Sequence, residues 1–128
     1  MATILVVDDE EGLRSVARKA LEGAGHTVLE AGDGRVAMAI LESTVPDLVI
    51  TDLLMPEQEG LQTIREIRRR RIATSVLAVS GGGRTARMDF LDIAKDIGAD
   101  RTLAKPFRVR ELLTTVEEML NDRPPSPT

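Results

Sequence analysis

The sequence predicts an α/β domain, a central parallel sheet of five strands with helices on both faces in a three-layer (βα)5 arrangement. Three observations carry that prediction. Short apolar runs alternate with longer stretches of helical periodicity, an order that belongs to parallel strands joined by helical crossovers. The first run, ILVV, is apolar at consecutive positions, as a strand covered on both faces requires. The length of 128 residues, 42% of them hydrophobic and 30% charged, suits one globular domain with a core that needs no staples.

Ile4, Leu5, Val6 and Val7 make the first strand. Leu13, Val16, Ala17, Ala20, Leu21 and Ala24 then lie on one face of a helix, which Gly25 stops. Thr27 to Leu29 form the second strand, Val36, Ala37, Ile40 and Leu41 the second helix, and Leu48 to Ile50 the third strand. Leu61, Ile64 and Ile67 mark the third helix, and Val76 to Val79 the fourth strand. Phe90, Ile93, Ala94 and Ile97 mark the next helix, followed by a short fifth strand over Arg101 to Ala104. Val109, Leu112, Leu113, Val116, Met119 and Leu120 complete a last amphipathic helix. The domain is expected over residues 1–121. Residues 122–128, rich in proline, read as a tail or the start of a linker.

Composition excludes several classes of chemistry. No cysteine is present, so disulfides and thiolate metal sites are ruled out, and the single histidine, His26, rules out a polyhistidine centre. Any metal must be held by oxygen. His26 has no acidic neighbour at ligand spacing and is expected at the surface or at a strand edge. The net charge of −4 argues against nucleic acid as a direct partner. No apolar run reaches the roughly 20 residues of a membrane span, and the N-terminus lacks the pattern of a signal peptide, so a cytoplasmic location away from the membrane is expected. The arginines at positions 65 and 68–71 read as the solvated last turn of the third helix, where cations complement the helix dipole, with docking of an acidic partner as the alternative.

The chemistry is concentrated in carboxylates. Asp8 and Asp9, with Glu10 and Glu11 behind them, follow a buried apolar strand without a spacer, although crowded carboxylates resist ionising. Glu10 and Glu11 suit the N-terminal end of a helix. Ligands of open α/β sheets bind beyond the carboxyl ends of the strands. Asp52 ends the third strand, Ser80 the fourth, and Lys105 follows the fifth, so neighbouring strands would bring these residues to the rim that holds Asp8 and Asp9. Several carboxylates at one point suit a hard cation such as Mg²⁺.

Asp8-Asp9, Asp52 followed by Met55-Pro56 and Gly60, Ser80, and Lys105-Pro106-Phe107 together resemble, in order and spacing over residues 3–121, the receiver domain of two-component response regulators, of the single-domain chemotaxis and sporulation-regulator type. The resemblance implies a flavodoxin-like fold with strand order 2-1-3-4-5. It implies transfer of a phosphoryl group from a histidine kinase or histidine phosphotransfer protein to Asp52. Mg²⁺, or alternatively Mn²⁺, would be held by Asp8, Asp9, Asp52 and the backbone carbonyl of Leu54. Lys105 would pair with a phosphoryl oxygen, Ser80 would donate its hydroxyl to another, and Lys105-Pro106 would be a cis peptide. The chain would catalyse its own phosphorylation and slow dephosphorylation while serving mainly as a signalling switch. A downstream effector or output domain would read the change, and a phosphorylation-dependent dimer is compatible with it.

The sequence departs from the family at one switch position. Receivers usually carry an aromatic residue three positions before the Lys-Pro pair, and here that position is Thr102. Movement of the loop from Ser80 to Arg87 is expected to be read out without it. Gly81 would leave the phosphoryl group accessible. Gly82 and Leu54, at positions that tune hydrolysis in the family, offer no group to orient water, hence the expectation of slow dephosphorylation. Three other readings compete. Gly32-Asp33-Gly34-Arg35-Val36-Ala37 fits a dinucleotide-binding pattern but does not follow the central strand, and a plain turn around Asp33 accounts for it. An aspartyl phosphatase would need a second Asp where Leu54 stands. A degenerate receiver would serve only as a protein-interaction module.

Overall fold

In the computed structural model, which describes residues 2–53, 59–80 and 93–122, β1 (Thr3–Val7), β2 (Thr27–Ala31), β3 (Leu48–Asp52), β4 (Ser75–Ser80) and β5 (Arg101–Ala104) form one sheet. All pairs are parallel and the order is β2-β1-β3-β4-β5, as expected. The crossovers are α1 (Glu11–Gly23), α2 (Gly34–Ser43), α3 (Glu59–Arg69) and the helical residues 93–97, here α4, with α5 (Val109–Asp122) closing the chain. Tail residues 123–128 lie outside the described residues. No helix among those described is long and apolar enough to cross a membrane.

The consecutive apolar residues of the strands divide between two cores because successive side chains point to opposite faces. Leu5, Val7, Val49, Val76 and Ala78 pack with α2, α3 and α4. Ile4, Val6, Leu48, Ile50, Leu77 and Val79 pack with α1 and α5. The α3 stripe enters the core as its spacing predicts, with Leu61, Ile64 and Ile67 all buried. The stripe on α1 does so only in part. Leu21 is fully buried, whereas Leu13 is 44% and Val16 53% exposed, because the first half of α1 faces an open cleft beside α5.

Three helices end in the same way. Two or three residues past α1, α3 and α4, a backbone N–H donates five residues back (His26 to Leu21, Ile72 to Ile67, Ala99 to Ala94), and the residue before it adopts a left-handed conformation. That residue is Gly25 in the first case and Gly98 in the third. In the second it is Arg71, with φ 56°, where a side chain is strained. The α2 start is capped by Asp33, whose Oδ1 accepts from the Val36 N–H at 2.9 Å. The glycine-rich segment around Asp33 is therefore a capped helix start, as the plain-turn reading expected.

Two expectations are corrected. Arg68 is no solvated dipole partner: its guanidinium donates to Gly98 O at 2.9 Å, Thr74 O at 3.0 Å and Asp100 Oδ2 at 2.8 Å, tying α3 to the segment before β5. His26 lies just before the edge strand β2, as the strand-edge alternative had it, but it is buried rather than at the surface. Its Nδ1 accepts from the Ala2 N–H at 3.2 Å and its Nε2 lies 3.1 Å from Glu117 Oε1. An acidic partner 91 residues away in sequence is invisible to a search of local spacing.

Two substitutions test this packing. A Cβ on Gly60 would overlap the Asp52 carbonyl oxygen and Leu53 Cα, so Gly60→Ala is expected to lower stability by about 1–3 kcal/mol in urea unfolding, and an unchanged midpoint would contradict the close approach. Arg71→Gly relieves the left-handed side chain and is expected to raise stability by up to about 1 kcal/mol; a loss of stability would show that the Arg71 side chain has contacts that outweigh the strain.

Candidate functional site

The register of the sheet brings four strand ends to one rim. Val7 of β1 pairs with Thr51 of β3, Asp52 with Val79 of β4, and Ser80 with Ala104 of β5. The residues that follow β1 and β5, Asp8 and Lys105, therefore reach the level of Asp52. β1 and β3 flank the point where the strand order reverses, which is where open sheets of this kind leave a crevice. Asp52 continues the parity of Leu48 and Ile50, so it faces α1 and α5, and it lines a cleft of about 560 Å³ together with Asp8 and Lys105.

Asp8, Asp9 and Asp52 each offer a carboxylate oxygen within 4.8 Å of the others. Asp8 and Asp52 are buried and Asp9 is exposed. The Lys105 ammonium donates to Asp52 Oδ2 at 2.8 Å and lies 3.6 Å from Asp8 Oδ2. Lys105 is placed by its own backbone, since its N–H donates to Ser80 O at 2.7 Å and the Lys105-Pro106 peptide is cis, as the resemblance implied. Ser80 is fully buried at the end of β4. Leu54 and Gly81 lie outside the described residues, as do Gly82 and the loop on to Arg87. Thr102 is described, and it pairs with Ala78 in the β4–β5 ladder.

Burial pushes the Asp8 carboxyl above its ordinary pKa; the charges of Asp52 and Asp9 push the same way, while the Glu10 N–H and the Lys105 ammonium oppose them. Burial works against the Lys105 charge, yet the hydrogen bond and charge of Asp52, joined by those of Asp8, outweigh it and raise its pKa. Lys105 thus stands firmly charged among crowded carboxylates. Such a donor set fits a hard divalent cation, which would replace the mutual repulsion of three acids by attraction to a common centre.

Sequence reasoning missed Arg14 and Glu30. Arg14 Nη1 donates to the Asp8 carbonyl at 2.7 Å and its Nε to Glu30 Oε1 at 3.1 Å. The available signal was Glu30 itself, a charged residue interrupting the apolar second strand. Glu10 stands at the N-cap of α1, but its side chain makes no capping bond; Asp8 Oδ1 instead accepts from the Glu10 N–H at 2.9 Å.

Asp8 yields a prediction with a definite sign. Its folded pKa is raised, so the stability it contributes is fully present below the ordinary value of 3.8 and is lost as pH rises through the raised value. At neutral pH without divalent cations, Asp8→Asn is expected to melt a few degrees higher than the wild type, and to gain less when Mg²⁺ is added. Scanning calorimetry with and without Mg²⁺ checks this, and an equal or lower melting point without Mg²⁺ would contradict it.

Comparison with known proteins agrees with this arrangement. The chain matches the family model described as response regulator receiver domain over residues 4–117. It is 34% identical over 120 residues to the transcriptional regulatory protein CpxR of Klebsiella pneumoniae, covering 94% of this chain and 50% of that protein. It is 37% identical over 124 residues to the sensor kinase CckA of Brucella abortus, covering 93% of this chain and 12% of that protein. The chain therefore spans half or less of the length of these relatives. Among solved structures, the chemotaxis response regulator CheY4 of Vibrio cholerae superposes with a TM-score of 0.81 at 30% identity, covering 93% of this chain and 98% of that one.

Proposed function

The chain belongs to the response regulator receiver domain family, and from that premise we propose that it accepts a phosphoryl group on Asp52 from a phosphohistidine of a kinase or phosphotransfer protein and thereby switches a partner-binding surface. The observation that carries the proposal is the Asp52 carboxylate, buried, held at 2.8 Å by Lys105 and flanked by Asp8 and Asp9.

In the reaction an Asp52 carboxylate oxygen attacks phosphorus, a P–O bond forms as the P–N bond to the donor histidine breaks, and the imidazole leaves with the electron pair of that bond. Asp8, Asp9 and Asp52 would hold Mg²⁺, with Mn²⁺ as a substitute, and the bound cation would neutralise charge on the transferred group. Lys105 turns from the Asp52 carboxylate toward a phosphoryl oxygen and supplies a fixed positive charge without being consumed. Its raised pKa keeps it protonated at neutral pH. Ser80, at the end of β4, donates its hydroxyl to another phosphoryl oxygen and so couples arrival of the phosphate to the backbone beyond it. Thr102 cannot act as an aromatic switch, so the signal passes through the backbone from Ser80 and Gly81 onward.

The donor is proposed to dock along the cleft between α1 and α5. Leu13, Val16 and Val109 are exposed beside the acids, and an apolar helical surface laid there would bring a histidine over Asp52. A downstream effector or output domain would read the phosphorylated form.

Incubation with acetyl phosphate and Mg²⁺, read by intact mass, tests the proposal. The wild type is expected to gain one phosphoryl group and Asp52→Asn none. No gain in the wild type, or an equal gain in both, would turn the reading to an interaction module whose acids are a relic.

A further inference from the structure

We infer that Arg14 is a positioning residue for the divalent cation: its guanidinium fixes the peptide between Asp8 and Asp9 and so aims the exposed acid toward the two buried ones. The inference rests on the phosphoacceptor reading above. Asp8 is otherwise well anchored, its N–H donating to Ala31 O at 3.1 Å and its Oδ1 accepting from the Glu10 N–H at 2.9 Å. Asp9 is exposed, and its direction depends on the plane of the peptide that precedes it. The carbonyl of that peptide is the one that accepts from Arg14 Nη1 at 2.7 Å.

Arg14 is itself held. Its Nε donates to Glu30 Oε1 at 3.1 Å, and the other oxygen of Glu30 accepts from Arg18 Nη1 at 2.9 Å. Glu30 belongs to β2, where it pairs with Val6 of β1. One planar side chain thus joins the first turns of α1, the end of β1 and the neighbouring strand, with only 17% of it exposed. A guanidinium can serve both acceptors at once because its donors are fixed in one fork, whereas an ammonium is a single point.

Charge and position predict opposite outcomes. A cation beside a cation site repels the incoming ion, so if Arg14 acted through charge alone its removal would tighten Mg²⁺ binding. If it acts by fixing the Asp8–Asp9 peptide, its removal weakens binding, and keeping the charge without the fork does not restore it.

Calorimetric titration of the full chain with Mg²⁺ decides between them, applied to the wild type, Arg14→Lys, Arg14→Met, Glu30→Gln and, as a control on the same network, Arg18→Lys. Arg14→Lys and Arg14→Met are each expected to weaken Mg²⁺ about tenfold, Glu30→Gln to weaken it in the same direction, and Arg18→Lys to leave it unchanged. The ¹⁵N shift of the Asp9 amide, which reports the bond on the preceding carbonyl, is expected to move in both Arg14 variants and not in Arg18→Lys. Arg14→Lys binding as the wild type does, Arg14→Met binding more tightly, or Arg18→Lys losing as much as Arg14→Lys would each overturn the inference while leaving the phosphoacceptor reading intact. A wild type that binds no Mg²⁺ would overturn both.

Discussion

Three carboxylates whose oxygens approach within 4.8 Å impose the condition around which the rest of this domain is arranged. At about 4 Å and an effective dielectric of about 20, each ionised pair repels by roughly 4 kcal/mol, which is comparable with the net stability of a small domain. The fold nevertheless forces the acids together, because Asp52 ends a strand that is buried along its length and Asp8 follows the strand beside it. Lys105 supplies one compensating charge, and its position depends in turn on the bond from its N–H to Ser80 O. The raised pKa of Asp8 reflects burial first, with the charges of Asp52 and Asp9 adding to it, and a cation bound among the three acids would relieve that repulsion.

The sheet makes such an arrangement tolerable by separating duties. Its interior residues feed two cores and give the strands no freedom to slide, since a shift by one residue would turn every apolar side chain to the wrong face. The opposite rim is secured by backbone and side-chain bonds of its own: Thr3 N–H to Asp47 Oδ2 at 2.8 Å, and His26 between Ala2 and Glu117. Arg68 fixes the approach to β5, whose first residues pair with β4. With these places tied, the energetic cost of assembling the acids falls on the carboxyl ends of the strands alone.

Much of this was legible in the sequence because it follows from local rules. Consecutive branched residues in β1 announced a strand buried on both faces, and Gly25 announced the end of α1. The convergence of Asp8, Asp9, Asp52, Ser80 and Lys105 followed from one topological rule applied to strand ends. What escaped depended on pairs far apart in sequence or on the limits of a stripe. His26 meets Glu117 only through the packing of α5 against β1 and β2, and Arg68 finds Gly98 and Asp100 only once α3 and β5 are in place. The periodicity of α1 correctly gave a helix, but period alone cannot say that its first half opens onto a cleft.

That half-covered helix has a consequence of its own. The end of α1 nearest the acids is attached by the ion pair of Arg14 with Glu30, joined from mid-helix by Arg18, while the fully buried apolar residue, Leu21, lies toward the far end, with Ala17 partly buried before it. Ion pairs near a surface weaken with salt and apolar burial does not, so the two ends of one helix respond differently to the same solution. Any surface laid over Leu13 and Val16 would supply the missing burial to the end that lacks it. A surface laid there would complete α1, and the tightness with which the chain holds its acidic rim would then become a property of the complex as much as of the free domain.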